Sequence, residues 1–457
     1  MANVVTQLAR YMMILLILLY TYYNFRYFSL YWQEDRSYVC GNQVKCMFLI
    51  LILADTVIWL RTEDVLTLAF CLVQMAFLAG YLAASMAIYP GISRILLNNI
   101  CMLMAVSFIM LTRISSERAM RQFVIVLASA VLSLLIPALI GRVWQLAEIP
   151  WVYGIGGILL LAAVAVVGQA AFGAQLSLRI GGFSFQPSEF VKLSFVFFVA
   201  AMFYRAKDFR TIVRSAVAAA LHVLVLVASK DLGSALIFFT AYLLMLFVAV
   251  NGWQYLIAGI AAGCLAAVLA YHLFHHVQIR VEAWQNPFAD ISGNGYQIAQ
   301  GLFAIGTGGW FGMGLYQGMP EKIPVVTKDF IFAAISEEFG GIFGICIILI
   351  CLGCFLQFMR LARRMEAGFY RLVAFGLGVI YIVQVFLTIG GVTKFIPSTG
   401  VTLPFVSYGG SSVLSSFLMF AVIQGIYILK ADDDDWKPEP AGAGTQQEME
   451  ESDIEDL

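Results

Sequence analysis

Apolar residues in this chain fall in long unbroken runs, not in the alternating or one-faced patterns of soluble strands and helices. Runs of about 20 apolar residues match the hydrocarbon thickness of a bilayer and predict membrane-crossing helices. Three come first, near residues 8–28, 44–60 and 64–89. Ten more lie near 98–112, 123–140, 151–172, 190–204, 212–229, 231–250, 252–275, 330–357, 372–397 and 408–429. The polar connections are of two kinds. Some are short and basic. Others are longer and rich in Gly, Pro and hydroxyl residues, the longest running from about His276 to Asp329. From Ala431 onward the chain is acidic and holds Pro and Gly, which predicts a disordered, solvated tail over 431–457.

Composition sharpens this picture. Of 457 residues, 61% are hydrophobic and 12% charged, against about 25% charged in an ordinary soluble chain. No soluble core absorbs that much apolar sequence, so the expected fold class is all-α, a polytopic membrane protein. The formal net charge is −1, and no basic patch offers nucleic acid a surface, so no nucleic-acid partner is expected. Most of the eight cysteines (Cys71, Cys101, Cys264, Cys346 and Cys351 among them) lie inside apolar runs and read as small hydrophobes. Cys351 and Cys354 form a CxxC, but mid-helix, where a thiol lacks the polar, exposed setting that reactivity needs. The first apolar run has no cleavage-site ending and is expected to stay as a helix.

Orientation follows from basic residues in short connections. Arg205, Lys207, Arg210 and Arg214 fill one, and Arg360, Arg363, Arg364 and Arg371 another. The predicted helices between them are even in number, so both lie on one side, expected to be the cytoplasm, as is the tail. Residues 276–329, 173–189, 229–231 and 396–408 then lie outside. Arg113, Arg118 and Arg121 disagree, because the same count places them outside as well. That conflict leaves the N-terminal topology open. If all three leading runs span, the N-terminus is outside.

The outer side thus gathers four polar patches. In "RIGGFSFQPSEFVK", Arg179–Lys192, Pro187 with Ser188 and Glu189 reads as a helix N-terminus. Glu189 and Lys192 share a helix face. They are either an interfacial ion pair or functional groups, since charge at a bilayer edge is costly. In "SKDLGSA", Ser229–Ala235, Asp231 reads first as a helix cap. The third patch spans "NPFADISGNGYQIAQG", Asn286–Gly301, and "AIGTGGWFGMGLYQGMPEKIPVVTKDFIFAAISEEFG", Ala304–Gly340. Its glycines permit close backbone approach, but no GK[ST] ending marks a phosphate loop. Asp290 stands among turn residues, where a loop cap is the ordinary use of Asp. Asp329 enters a predicted helix, and Glu337 and Glu338 lie within it. Adjacent acids in an apolar run are expensive, so at least one should face a polar cavity or a basic partner. The fourth patch, "PSTGVTLPFVSYGGSS", Pro397–Ser412, reads as a rigid turn that re-enters the membrane. His272, His275 and His276 cluster, but no Cys or carboxylate stands at metal-ligand spacing, so interfacial histidines are the better reading and no metal site is expected.

Two function classes fit an outer cavity lined by such acids and a lysine. One is an enzyme acting on a lipid-anchored substrate with a carboxylate as general base. The other is a transporter or flippase whose charges line a pathway. Transporters often carry inverted repeats. None is visible here, and the polar residues gather on one face, which favours the enzyme.

These motifs, in this order over about residues 98–430, resemble the signature of the SEDS family (shape, elongation, division and sporulation), which includes FtsW, RodA and SpoVE. "GGFSFQPSEFVK" is similar to its G-x-F-x-F-Q-P-S-E-x-x-K, and "NPFADISGNGYQ" to its P-x-x-D-x-x-G-x-G-Y-Q. The resemblance implies a ten-helix core over 98–430 with a large extracellular loop over about 276–329. About three extra transmembrane helices would precede it in residues 1–97, and the acidic tail would be cytoplasmic. It implies an inverting peptidoglycan glycosyltransferase of the bacterial plasma membrane, polymerising lipid II at the outer face and releasing undecaprenyl diphosphate. A class B penicillin-binding protein is the implied partner. Asp290 maps to the presumed catalytic acid. Gln186, Glu189, Lys192, Asp231, Gln297, Asp329, Glu337, Glu338, Ser407 and Tyr408 map to motif positions expected to bind substrate. Mg or Mn would at most assist the diphosphate leaving group. The chain departs from the family at Lys230, where Pro is usual, and at Lys328, where Thr is usual; both lysines add positive charge outside. Lipid II flipping, or scaffolding of a penicillin-binding protein, are the alternatives.

Overall fold

The computed structural model describes residues 2–30, 32–142, 144–167, 169–171, 174–180, 183–366 and 368–436. Ala2–Ser29 (α1), Gln33–Thr62 (α2) and Val65–Ile88 (α3) lead. Arg94–Ile114 (α4), Ser116–Ser133 (α5), Ile136–Arg142 (α6) and Pro150–Val167 (α7) follow. Gln169–Ala171 (β1), Ala174–Ile180 (β2) and Phe183–Phe185 (β3) form a small antiparallel sheet in the order β1-β2-β3. Then come Ser188–Arg205 (α8), Phe209–Ala228 (α9), Leu232–Val250 (α10) and Trp253–Leu273 (α11). His275–Gln285 (α12), Tyr296–Gly308 (α13) and Ile331–Phe339 (α14) are short. Gly341–Arg364 (α15), Gly368–Val392 (α16) and Gly410–Trp436 (α17) complete the chain.

Among the described residues, eleven helices are long and apolar enough to cross a membrane. To these are added α7, shorter but apolar, and α8, which carries Glu189, Lys192 and Arg205. The chain is an all-α polytopic membrane protein, as its sequence predicts. Four details differ from expectation. The run near 151–172 stops at Val167, where the small sheet begins. The run near 330–357 is broken at Gly340, whose φ of +92° ends α14 before α15 starts. The 276–329 insertion holds two helices, because α12 and α13 each lay apolar residues on the bundle. Finally, α17 continues past Ala431 to Trp436. The rest of the predicted tail, 437–457, lies outside the described residues.

Close contacts assign the helix ends to two faces. Arg61 donates to Asn3 Oδ1 at 2.6 Å, Arg10 to Gly312 O at 2.7 Å and Arg113 to Glu338 at 3.0 Å. The starts of α1, α3 and α5 therefore share one face, the N-terminal face, with the 276–340 segment. On the other face Tyr204 packs on Phe369, Tyr370 donates to Ile140 O at 3.2 Å, and Gly91 approaches Ala431. The helix ends thus alternate between the faces as the count of apolar runs predicts. Arg113, Arg118 and Arg121 sit on the N-terminal face because each is held there by a protein partner, Glu338, Thr327 and Glu117.

The leading helices are part of the bundle. α1 packs on α2 and α15, and α2 and α3 pack on α4, so α4 is buried along its whole length from Ile95 to Thr112. Polar side chains tie them inside the bilayer, where small and amide residues join helices. Tyr20 donates to Asn99 Oδ1 at 3.0 Å, and Asn99 to Asn24 Oδ1 at 2.9 Å. A Cβ at Gly353 would collide with the Asn24 amide, so glycine lets α15 close on α1. All cysteines among the described residues are free, and Cys351 and Cys354 are fully buried.

Glu338 is 0% exposed at the side chain and pairs with Arg113, which also stacks over Tyr316 at 4.3 Å. Arg113→Leu leaves that carboxylate buried alone and is expected to cost about 3–5 kcal/mol. The double variant Arg113→Leu/Glu338→Leu should recover most of the loss. Unfolding titrations in mixed micelles measure both, and equal losses in single and double variants would contradict a mutually dependent pair.

Candidate active site

Pro187 fixes the backbone ahead of α8, and Glu189 falls in its first turn, where the helix dipole favours an acid. One turn on, Lys192 is 3% exposed. Its Nζ donates to Glu189 Oε2 at 2.5 Å and to Gln384 Oε1 of α16 at 2.7 Å. Ser415 of α17 donates to the same Glu189 oxygen at 2.9 Å. Gln384 Nε2 donates to Thr402 O at 3.0 Å, which joins the first and fourth patches. The second patch joins through Asp231. It caps α10 by accepting from Ser234 N at 3.1 Å, and it accepts from Ser188 Oγ at 3.2 Å. Burial raises the Asp231 carboxyl above its ordinary range. Cap and site residue are thus the same side chain.

The third patch closes the site from above. Ile279, Arg280 and Ala283 form one stripe of α12, and Asn294, Gln297 and Ile298 come from the start of α13. Val325, Lys328 and Asp329 enter from the segment before α14, and Ser398–Thr402 from the fourth patch. This segment is pinned by backbone. Ser407 Oγ donates to Lys328 O at 2.6 Å, Tyr408 N to Thr327 O at 2.7 Å, and Arg118 Nη1 to Thr327 Oγ1 at 2.8 Å. The result is a cavity of about 360 Å³ on the N-terminal face.

Its electrostatics are uneven. Burial lifts the Asp329 carboxyl to about 6 against the pull of Lys328 and Arg280. Lys192 is neutralised by Glu189, whereas Lys230, Arg280 and Lys328 line the cavity with no carboxylate oxygen within 4.0 Å among the described residues. Burial, Arg280 and Lys230 together hold the nearby His276 imidazole below its ordinary range. The donor set does not fit a resident divalent ion. Glu189 is committed to Lys192, Asp231 to its cap, and Asp329 faces cations. Among the described residues no three His, Cys, Asp or Glu side chains converge, the histidine cluster included.

Gln186, Glu189, Lys192, Asp231, Gln297 and Asp329, singled out from sequence, meet in this cavity. Five others do not line it. Asp290 is exposed beside it. Its Oδ2 accepts Asn294 N at 2.9 Å and its carbonyl accepts Gly293 N and Gly295 N, so it shapes the turn that delivers Asn294 to the wall. A Cβ at Gly293 would strike the Asp290 carboxylate, and one at Gly295 the Pro287 carbonyl. Glu338 is turned to Arg113, and Glu337 accepts Met319 N at 3.1 Å, both away from the cavity. Ser407, through its hydroxyl, and Tyr408, through its backbone N–H, hold the wall from behind. Arg280, Asn294, Gln384 and Thr402 were missed. Arg280 carried a signal, since residues 276, 279, 280 and 283 repeat at helical spacing inside a segment that was read as loop.

Comparison with known proteins matches a family model described as cell cycle protein, FtsW/RodA/SpoVE, over residues 88–430. The peptidoglycan glycosyltransferase RodA of Mycobacterium tuberculosis is 34% identical over 301 residues, covering 62% of this chain and 64% of that protein. The chain thus spans less than two thirds of that relative's length. A probable peptidoglycan glycosyltransferase FtsW of Aliivibrio salmonicida is 35% identical over 275 residues, covering 56% of this chain and 67% of that protein. Among solved structures, one titled for the coordination of polymerization and crosslinking by a peptidoglycan synthase complex superposes with TM-score 0.63 at 23% identity, covering 75% of this chain and 98% of that one. The rod shape determining protein RodA of Thermus thermophilus superposes with TM-score 0.57 at 22% identity, covering 76% and 98%. At such identity these two speak for the fold alone. The family match takes in α4 to α17 and every wall of the cavity, and this chain belongs to the FtsW/RodA/SpoVE family of cell cycle proteins.

Proposed function

We propose that the chain is a peptidoglycan glycosyltransferase that polymerises lipid II, with residues 98–430 as the catalytic unit. The observation that carries this is the convergence of the four polar patches on one cavity, where an acid lifted to about 6 stands beside three cations that have no carboxylate oxygen within 4.0 Å among the described residues. The named activity of the mycobacterial and Aliivibrio relatives supports it. Basic residues favour the cytoplasmic side. Arg205, Lys207, Arg360, Arg363 and Arg364 lie opposite the cavity, which therefore opens outside, towards the lipid-borne sugar.

In the proposed reaction a sugar hydroxyl of one lipid II attacks the anomeric carbon of the growing strand. The new C–O bond forms as the bond to the diphosphate breaks, with inversion, and the hydroxyl proton passes to a carboxylate. A positioned base is worth about 10²–10⁴-fold. Asp290 takes that role here, exposed on the turn whose Asn294 enters the cavity wall. Lys230, Arg280 and Lys328 stabilise the departing undecaprenyl diphosphate. Glu189, Lys192, Asp231, Asp329, Gln186 and Gln297 orient the sugars. Ser407 and Tyr408 support the wall, and Glu337 and Glu338 support the loop behind it. A class B penicillin-binding protein is the proposed partner, in line with the crosslinking named for the similar synthase complex. Asp329 is a second candidate for the base, because it lies inside the cavity with a carboxyl lifted to about 6.

Purified protein in detergent has no leaflets to cross, so glycan strands made there from lipid II separate polymerase from flippase or scaffold. Asp290→Asn is expected to lower the rate at least about 100-fold with folding intact. A retained rate, with loss in Asp329→Asn instead, would move the base to Asp329. Lys230→Gln/Lys328→Gln should cut turnover about tenfold or more, the scale of lost transition-state charge stabilisation, and unchanged kinetics would remove them from the leaving-group site. Protonation below about 6 removes the Asp329 charge. Turnover should therefore fall as pH drops through that value, and Asp329→Asn should abolish this acid limb while leaving any other.

A further inference from the structure

The first three turns of α1 carry Asn3, Thr6, Gln7, Arg10 and Tyr11. These positions are spaced i, i+3, i+4, i+7 and i+8, so they form one stripe of the helix. The stripe lies along residues 311–317. Arg10 Nη1 donates to Gly312 O at 2.7 Å, and Gln7 Nε2 to Met313 O at 3.4 Å. Gln317 Nε2 donates to Asn3 Oδ1 at 3.5 Å. Tyr11 and Phe311 rings stand 6.1 Å apart, and a Cβ at Gly314 would lie 3.2 Å from Thr6 Cγ2. Arg61, at the end of α2, braces the stripe through Asn3 at 2.6 Å and Thr6 at 3.3 Å.

The far side of the same segment holds α14. Met313 N donates to Glu337 O at 2.9 Å and Gly314 N to Glu338 O at 2.8 Å, while Gly341 N and Ile342 N donate back to Gly309 O and Trp310 O. The segment has positive φ at Gly309, Gly312, Gly314 and Tyr316. Three of these are glycines, which adopt such φ freely; Tyr316 is not, and a side chain held there persists only when its surroundings over-determine it. α14 is nine residues long, and the residues entering its other end are Lys328 and Asp329 in the cavity wall.

We propose that α1 is an intramolecular clasp. Through the 311–317 backbone it fixes α14 and hence the placement of Lys328 and Asp329, with Arg10 as the positioning residue. The leading helices thereby take a role in the reaction without touching substrate. The effect on turnover rests on the polymerase reading above; the effect on the backbone does not.

The test uses full-length protein in detergent, compared as wild type, Arg10→Met, Arg10→Lys and the opposite-face control Lys207→Gln. Hydrogen exchange in 309–318 and 328–332 should quicken about tenfold or more in Arg10→Met, the scale of a lost charge-assisted hydrogen bond. Exchange in α15 and α16 and the unfolding midpoint should stay as in wild type. Lipid II turnover should fall through kcat, with the acid limb near pH 6 displaced, and Arg10→Lys should restore both in part. Unchanged exchange in 309–318 overturns the clasp. So does quickened exchange with kcat and pH profile unaltered, which removes the positioning role. If wild type makes no glycan, the polymerase reading fails and exchange alone decides the clasp. Should Arg10→Met not fold, Gln7→Leu must show a smaller change in the same segments, and none there is equally fatal.

Discussion

Irregular backbone cannot face lipid, because nothing there satisfies its N–H and C=O groups. The rest of this structure is arranged around that constraint. The irregular segments before α14 and between α16 and α17 satisfy one another, Tyr408 N on Thr327 O and Ser407 on Lys328 O, and Thr388 of α16 satisfies Val401 O. The break at Gly340 is tolerated because residues 309–314 pair with both helices that flank it. A polar cavity results wherever such segments meet without filling the space between them.

The same constraint governs charge. Glu189 with Lys192, and Glu338 with Arg113, are matched inside the bundle. Lys230, Arg280 and Lys328 are left unmatched only where the cavity opens. The distinction separates groups that present net charge to a ligand from those that do not better than burial does, since Lys192 lies in the cavity wall with its charge already matched by Glu189 and is left to orient a ligand by hydrogen bonding.

Much was legible in the sequence. Apolar runs of bilayer length reveal helices whatever the tertiary structure, and the four polar patches mark where backbone leaves the membrane. Pro187, Glu189 and Lys192 could be read because i to i+3 spacing is local. What failed was non-local. Glu337 and Glu338 are adjacent in sequence to the site, but their partners, Arg113 and Met319 N, come from elsewhere in the chain. The three arginines that seemed to violate orientation do so because side chains hundreds of residues away neutralise or bind two of them. Asp290 was read as turn former and as base. The geometry exhibits the first and leaves the second to kinetics. Arg280 and α12 were overlooked because a short amphipathic helix within a polar insertion carries too little apolar sequence to stand out.

The complete enclosure of α4 bears on how the protein is made. Domains emerge from the ribosome N-terminal part first. A core helix carrying Asn98, Asn99 and Ser107, all buried, would otherwise wait in lipid for α14 and α15, with its amides unpaired. Here α1 and α2 are already in the bilayer, offering Asn24, Tyr20, Gln43 and the Cys40 carbonyl to those amides as α4 is released. The leading helices thus serve biogenesis as a resident escort, present before the helix that needs them.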